Sequence, residues 1–262
     1  MPFDPTRRNL LRLASAATLL SVPPLRAAAA GPAAVSLTYD DGLRSQLDHA
    51  VPQLDRLGLK GTFFLTLNNM SGDLARWQAA AAAGHEMANH TVTHPCHLRA
   101  YDEARLVAEE LAPMEAYLDS NFPGPRFRGY AYPCDNTALG RGHEREKRYA
   151  RLVEATFAAA RTTDGPPNDP ASLFANRGFL TGFEPTEHAD TPDLAIAYLK
   201  QAIARGHWAI LIFHEVLPRW KGTGDCGAGT HQAILDWIVA HPIRCAPMGQ
   251  MFRSLTASRG GD

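Results

Sequence analysis

Short apolar runs alternating with amphipathic helical stretches constrain this chain more than any other feature. Ala34 to Thr38, Lys60 to Leu67, Glu86 to Asn89, Phe127 to Tyr132 and Trp208 to Phe213 read as strands, the last (WAILIF) being the most apolar. Helical spacing is predicted over Leu43 to Leu57, Leu74 to Ala83, Tyr101 to Leu118 with Asp102 near its start, Glu144 to Ala160, Leu194 to Arg205 and Gln232 to Val239. Successive strand-helix units imply a parallel sheet. Over this length the alternation suggests an α/β barrel or a doubly wound sheet, with right-handed crossovers. The stretch from Thr162 to Asp193, rich in Gly and Pro, has weak periodicity and is expected to be an extended loop with a short strand at a substrate rim.

Composition narrows the partners. Lys and Arg total 26 against 27 Asp and Glu, a net charge of −1, so no broad positive field favours nucleic acid or an acidic membrane. The four cysteines of the 262-residue chain are too few for a disulfide-built scaffold and none is spaced as a CxxC metal knuckle, so the fold must rest on a hydrophobic core.

Residues 1–30 read as an export signal. Arg7-Arg8 precede an apolar run from Leu10 to Val22, which Pro23-Pro24 ends, and Ala27 to Ala30 supply a small-residue cleavage site before Gly31. The run is too short for a stable membrane anchor. Paired arginines resemble the twin-arginine signal for folded cargo, with a general secretory signal as the alternative. Either way the expectation is a periplasmic or secreted protein whose single catalytic domain spans residues 31–262, with no membrane anchor once the signal is removed.

In parallel α/β architectures, reactive side chains lie at the carboxyl ends of strands, and three segments qualify. In Thr38-Tyr39-Asp40-Asp41-Gly42, adjacent carboxylates can reach one point only if the chain turns, as Gly42 permits. One acid could then bind a metal while the other stays free; a helix cap plus a solvated acid is the plainer alternative. His90-Thr91-Val92-Thr93-His94 places two imidazoles four residues apart, and with Asp41 they would give a divalent metal two nitrogens and an oxygen. In Leu211-Ile212-Phe213-His214, an imidazole ends the greasiest strand, a setting for a general acid or base.

TYDDG at Thr38 to Gly42, GHEMANHTVTHP around His90 to His94 and a late strand ending in His214 resemble the polysaccharide deacetylase family, that is, NodB-homology domains of carbohydrate esterase family four. The resemblance implies a distorted (β/α)7 barrel, Asp40 as catalytic base, Asp41, His90 and His94 as metal ligands, and His214 as general acid. It implies zinc as the metal, with cobalt or nickel as alternatives. The substrate would be an N-acetylated poly- or oligosaccharide. The alternatives are O-acetyl ester cleavage, as in the family's xylan esterases, and a carbohydrate-binding protein that has lost turnover.

The family's third motif is altered. Tyr130-Ala131-Tyr132-Pro133-Cys134-Asp135 is similar to its Phe-Ala-Tyr-Pro variant, which places Ala131 where the family arginine stands and gives Cys134 the backbone N–H facing an oxyanion. Arg128 is out of register. Arg161 is the expected stand-in for that arginine, and Asp164 the candidate acid that tunes the histidine. Cys96 and Cys134 should border the cleft, as a disulfide or as free thiols, and Cys226 and Cys245 are a second candidate pair. His231 is read as a helix cap and Trp220 as a rim contact.

Overall fold

The computed structural model of the protein describes residues 33–123 and 126–257, so the expected export signal lies outside the described residues. Seven parallel strands form a nearly closed barrel: β1 (Ala34–Tyr39), β2 (Thr62–Leu65), β3 (Glu86–Asn89), β4 (Gly129–Ala131), β5 (Ala159–Thr162), β6 (Leu180–Thr181) and β7 (Trp208–Phe213). They pair in chain order from β1 to β6, and β7 runs beside β1 over its whole length. The barrel closes where Phe183, just past β6, bridges to Leu211 of β7. Gly182 makes that approach possible, because a Cβ there would stand 2.5 Å from Ile212 Cδ1.

The period-two alternation of strand side chains sorts the barrel into layers. Ala34, Phe64, Ala88, Ala131, Ala159, Leu180, Trp208 and Ile210 form one buried cluster with Met248, Met251 and Phe252 of the helix Met248–Ala257. The intervening Val35, Leu37, Tyr39, Phe63, Leu65, Ala209, Leu211 and Phe213 pack with helix residues such as Leu54, Leu199, Ala202 and Ile234. Continued toward the carboxyl ends of the strands and beyond, the first parity reaches Asp40, His90, Arg161 and His214. The residues that pack the barrel thus predict which polar groups line its carboxyl mouth.

Several sequence expectations shift here. The helical stretch from Glu144 to Ala160 divides: the helix is Arg145–Thr156, Phe157 turns to extended backbone, and β5 follows. The alanine-rich Phe157-Ala158-Ala159-Ala160 has helical propensity, but pairing with β4 and β6 overrides it. Three short strands were also missed: β8 (Glu215–Leu217) and β9 (Asp225–Gly227), which pair with each other, and β10 (Arg244–Cys245), which pairs with the start of β1. His231 is not a cap but lies fully buried within the helix Ala228–Ala240. No described helix is long and apolar enough to cross a membrane.

Two helical runs contain a widened π turn, Gln46–Ala50 and Val107–Leu111, each followed by a helix with proline at its second position, Pro52 and Pro113. Proline lacks an N–H and its ring crowds the carbonyl four residues back, which a wider turn accommodates. Both turns carry a buried polar side chain that braces the site, Gln46 and Glu110.

Candidate active site

The carboxyl ends of β1, β3, β4, β6 and β7, with the loop after β5, converge on a cleft of about 290 Å³ lined by Asp40, His90, His94, Cys134, Asp164, Glu184 and His214, among others. After Tyr39 the chain turns with left-handed backbone at Asp41 (φ 74°) and Gly42 (φ 68°), which swings the second carboxylate round to the imidazoles. Asp41 Oδ1 lies 3.5 Å from His90 Nε2 and 3.4 Å from His94 Nε2. Asp40 Oδ2 is 3.9 Å from His90 Nε2. Thr91, His94, Cys134, Asp135 and Asp164 also have positive φ, so all the non-glycine residues of this kind among the described residues belong to these site loops. Such concentration of sparsely populated backbone is characteristic of functional sites.

The loop Thr91 to His94 is fixed from beneath. Glu110 accepts hydrogen bonds from the N–H groups of Val92 (3.0 Å) and Thr93 (2.9 Å) and from the Thr93 hydroxyl. Asn89 Oδ1 accepts from Thr91 N–H at 2.7 Å, while its amide donates to Glu115 at 3.0 Å. His90 Nδ1–H donates to the Ala131 carbonyl at 2.9 Å, leaving the Nε2 lone pair directed at Asp41. The side-chain atoms that Asp41, His90 and His94 could offer to a metal all lie within 4.8 Å of one another. Two neutral nitrogens and a carboxylate oxygen that converge in this way suit a divalent transition metal and leave room for further ligands.

Asp40 and Arg161 form a buried ion pair. Burial would raise the Asp40 pKa, but the Arg161 charge and hydrogen bond, with the neighbouring imidazoles, outweigh it and hold the carboxyl below its ordinary range. The Arg161 guanidinium stacks 4.8 Å from the Phe64 ring centre. Gln46 Nε2 donates to the carbonyls of both Asp40 (2.5 Å) and His214 (3.0 Å), tying the end of β1 to the end of β7.

Burial would lower the His214 pKa, yet the hydrogen bond it donates to Glu184 and the charges of Asp40, Glu184 and Asp41 raise it to about 9. The Glu184 contact, 3.0 Å from Nδ1, replaces the one expected from Asp164. Asp164 lines the cleft but is exposed and makes no hydrogen bond to His214. Glu184 was missed because β6, which presents it, is only two residues long. An acid in Phe183-Glu184-Pro185, inside the expected rim segment Thr162 to Asp193, was the available signal. For Gln46 no sequence signal existed. Glu110 had one, an acid flanked by Leu106, Leu111 and Met114 on the buried helix face.

Cys96 and Cys134 form a disulfide with Cα atoms 5.3 Å apart, whereas Cys226 and Cys245 are free thiols. The disulfide joins the loop after β3 to the loop after β4, and both sulfurs lie beside His94 Nδ1, at 3.8 and 3.9 Å. Asp135 accepts from Thr163 N–H at 2.9 Å, linking the next loop along. Trp220 is exposed and does not line the cleft.

Comparison with known proteins agrees with this fold. The chain is 32% identical over 221 residues to a protein named gellan lyase from a Bacillus species. The match covers 79% of this chain but 8% of that protein, so the lyase name describes a far larger molecule. Among solved structures, a Mycobacterium smegmatis protein provisionally assigned as a polysaccharide deacetylase matches with a TM-score of 0.64 and 19% identity, over 88% of this chain and 92% of that one. The catalytic domain of a peptidoglycan N-acetylglucosamine deacetylase from Eubacterium rectale matches with a TM-score of 0.54 and 15% identity, over 87% and 90%. At these identities the structures establish the (β/α)7 fold. Residues 27–138, which contain Asp40, Asp41, His90, His94 and Cys134, match the family model for polysaccharide deacetylase, and the chain belongs to that family.

Proposed function

We propose that the protein is an exported, metal-dependent hydrolase that removes acetyl groups from N-acetylated sugars of a poly- or oligosaccharide. The observation that carries this reading is the convergence of a carboxylate paired with Arg161 (Asp40), a three-ligand set (Asp41, His90, His94) and a proton-bearing imidazole (His214) on one cleft. The same completeness weighs against a binding protein without turnover.

A divalent cation held by Asp41, His90 and His94, zinc first, would polarise an acyl carbonyl and acidify water at the site. Asp40, kept ionised by Arg161, accepts the proton of the attacking water. Cys134, whose left-handed backbone (φ 53°) turns at the cleft wall, offers its N–H to the developing oxyanion, a contribution of roughly 3 kcal/mol for one well-placed donor. His214 holds Nδ1 toward Glu184 and delivers a proton from Nε2 to the leaving group. A raised pKa suits an amide, because an amine departs only when protonated, whereas an ester's alkoxide leaves more readily. Export rests on the Arg7-Arg8 segment and is supported by the Cys96–Cys134 disulfide, a bond at home in an oxidising compartment.

The test is acetate release from N- and O-acetylated glycans, with and without chelator. Release from N-acetyl sugars that chelator abolishes and zinc restores is expected; no release, or release insensitive to chelator, refutes the proposal. In the same assay Asp40→Asn should keep metal and lose activity, whereas His90→Ala should lose metal.

A further inference from the structure

A second cavity, of about 280 Å³, is lined by residues that adjoin in the chain the Cys96–Cys134 disulfide at the catalytic cleft, and it has the opposite charge. Its lining includes His97, Arg99, Asn136, Arg141 and Arg145 and no carboxylate. None of the three arginines makes an ion pair with another described residue. Of the other described arginines, Arg44, Arg76, Arg105, Arg126, Arg128, Arg148 and Arg161 are each paired with an acid, whereas seven more are unpaired but line no common cavity with one another. The catalytic cleft beside it carries Asp135, Asp164, Glu184 and Glu187.

The cavity is built rather than incidental. Its floor, the segment from Asn136 to Arg145, is pinned by Gly140 N–H to the Leu98 carbonyl (3.0 Å), Leu139 N–H to the Arg145 carbonyl (3.1 Å) and Arg148 Nη1 to the Leu139 carbonyl (3.0 Å). Asn136 Nδ2 donates to the Cys96 carbonyl at 2.9 Å. His97 follows Cys96 and Asn136 lies two residues past Cys134, so the disulfide that walls the catalytic cleft also fixes the edge of the basic cavity.

We infer that this cavity is a carboxylate subsite, so that the acetylated glycan carries an acidic sugar substituent beside the residue being deacetylated. This inference rests on the deacetylase reading and names its substrate class. Guanidinium groups pair with carboxylates through two parallel hydrogen bonds. The acids around the cleft repel the same group, so a uronate-bearing chain has one electrostatically favoured placement, with the neutral acetylated sugar in the cleft and the carboxylate in the basic cavity.

The full chain, loaded with zinc, is assayed for acetate release on a soluble acetylated oligosaccharide containing uronic acid and on its carboxyl-reduced counterpart. The expected result is a kcat/KM ratio favouring the uronate substrate. That ratio should fall about tenfold in Arg99→Gln and in Arg141→Gln and about a hundredfold in the double variant, on the basis of about 1.4 kcal/mol per tenfold. The corresponding lysine pair, which keeps the charge, should lose less than the glutamine pair. A wild-type ratio near one, or a ratio unmoved in the double variant, overturns the inference. Calorimetric binding of the uronate oligosaccharide is read in parallel, with affinity about tenfold weaker in each single glutamine variant expected and unchanged affinity overturning the subsite. Because binding needs no turnover, failure of the subsite is distinguished from absence of acetate release on every substrate, which refutes the deacetylase reading alone.

Discussion

Replacing Arg161 by Met tests the link between the stability of the barrel and its chemistry. Arg161 and Asp40 are 1% and 6% exposed at their side chains, so removing the cation strands a carboxylate in the interior. Breaking a buried pair in this way costs about 3–5 kcal/mol. A domain of this size loses about 2–4 °C of melting temperature per kcal/mol, so Arg161→Met should melt about 6–20 °C lower in metal-free protein at pH 7. The pair itself is not strongly stabilising, since Arg161 Nε is buried without a partner among the described residues. The double variant Asp40→Asn/Arg161→Met should therefore recover most of the loss.

The pH dependence adds a second check. In the native protein the Asp40 pKa is lowered, so its contribution is present above its unfolded pKa and lost as pH falls through the folded value. Without Arg161, burial, the largest single influence on Asp40, is expected to raise its pKa. The variant's deficit should then shrink as pH falls toward 4 and the carboxyl is protonated. Thermal unfolding by circular dichroism between pH 4 and 8 measures both effects. A melting point for Arg161→Met within about 2 °C of wild type, or a double variant as unstable as the single, would refute the reasoning.

Three further outcomes are expected. Glu184→Gln removes the hydrogen-bonding charge that raises the His214 pKa toward 9, so the alkaline limb of the pH–rate profile, where the proton donor is lost, should move to lower pH; an unmoved limb counts against His214 as the acid. His231 is held at about 3 by burial, where its Nε2 accepts from the Tyr39 hydroxyl (2.8 Å) and its Nδ1–H donates to Gln53. Its folded pKa lies below the unfolded one, so its stabilisation is full above about pH 6.5 and is lost as pH falls, by up to about 1.4 kcal/mol per pH unit. In urea titrations between pH 6 and 4, His231→Leu should remove that slope, and an identical slope in the variant would sink the assignment. Reduction of Cys96–Cys134, which closes a 38-residue separation, should cost about 4 kcal/mol on the chain-entropy argument and weaken zinc retention, because it frees the loop that carries His94. Equilibrium dialysis with and without reductant would show unchanged affinity if the loop is held by Glu110 alone.

Where the sequence was informative, the information was local. Strand parity, the turn signalled by Asp41-Gly42 and the four-residue histidine spacing each depend on neighbouring residues, and they located Asp40, Asp41, His90, His94 and His214 together with the parallel α/β architecture. Arg161 was found only as a residue near the right place, since the strand that carries it reads as the tail of a helix. Tertiary structure decided what depends on closing the barrel. The two-residue β6 exists because Gly182 lets it approach β7, and that approach brings Glu184 rather than Asp164 to His214. Gln46 and Glu110 brace the site across 168 and 17 or 18 residues of chain, and Cys96 meets Cys134 across 38, pairings set by barrel curvature and loop packing rather than by any pattern within a single element.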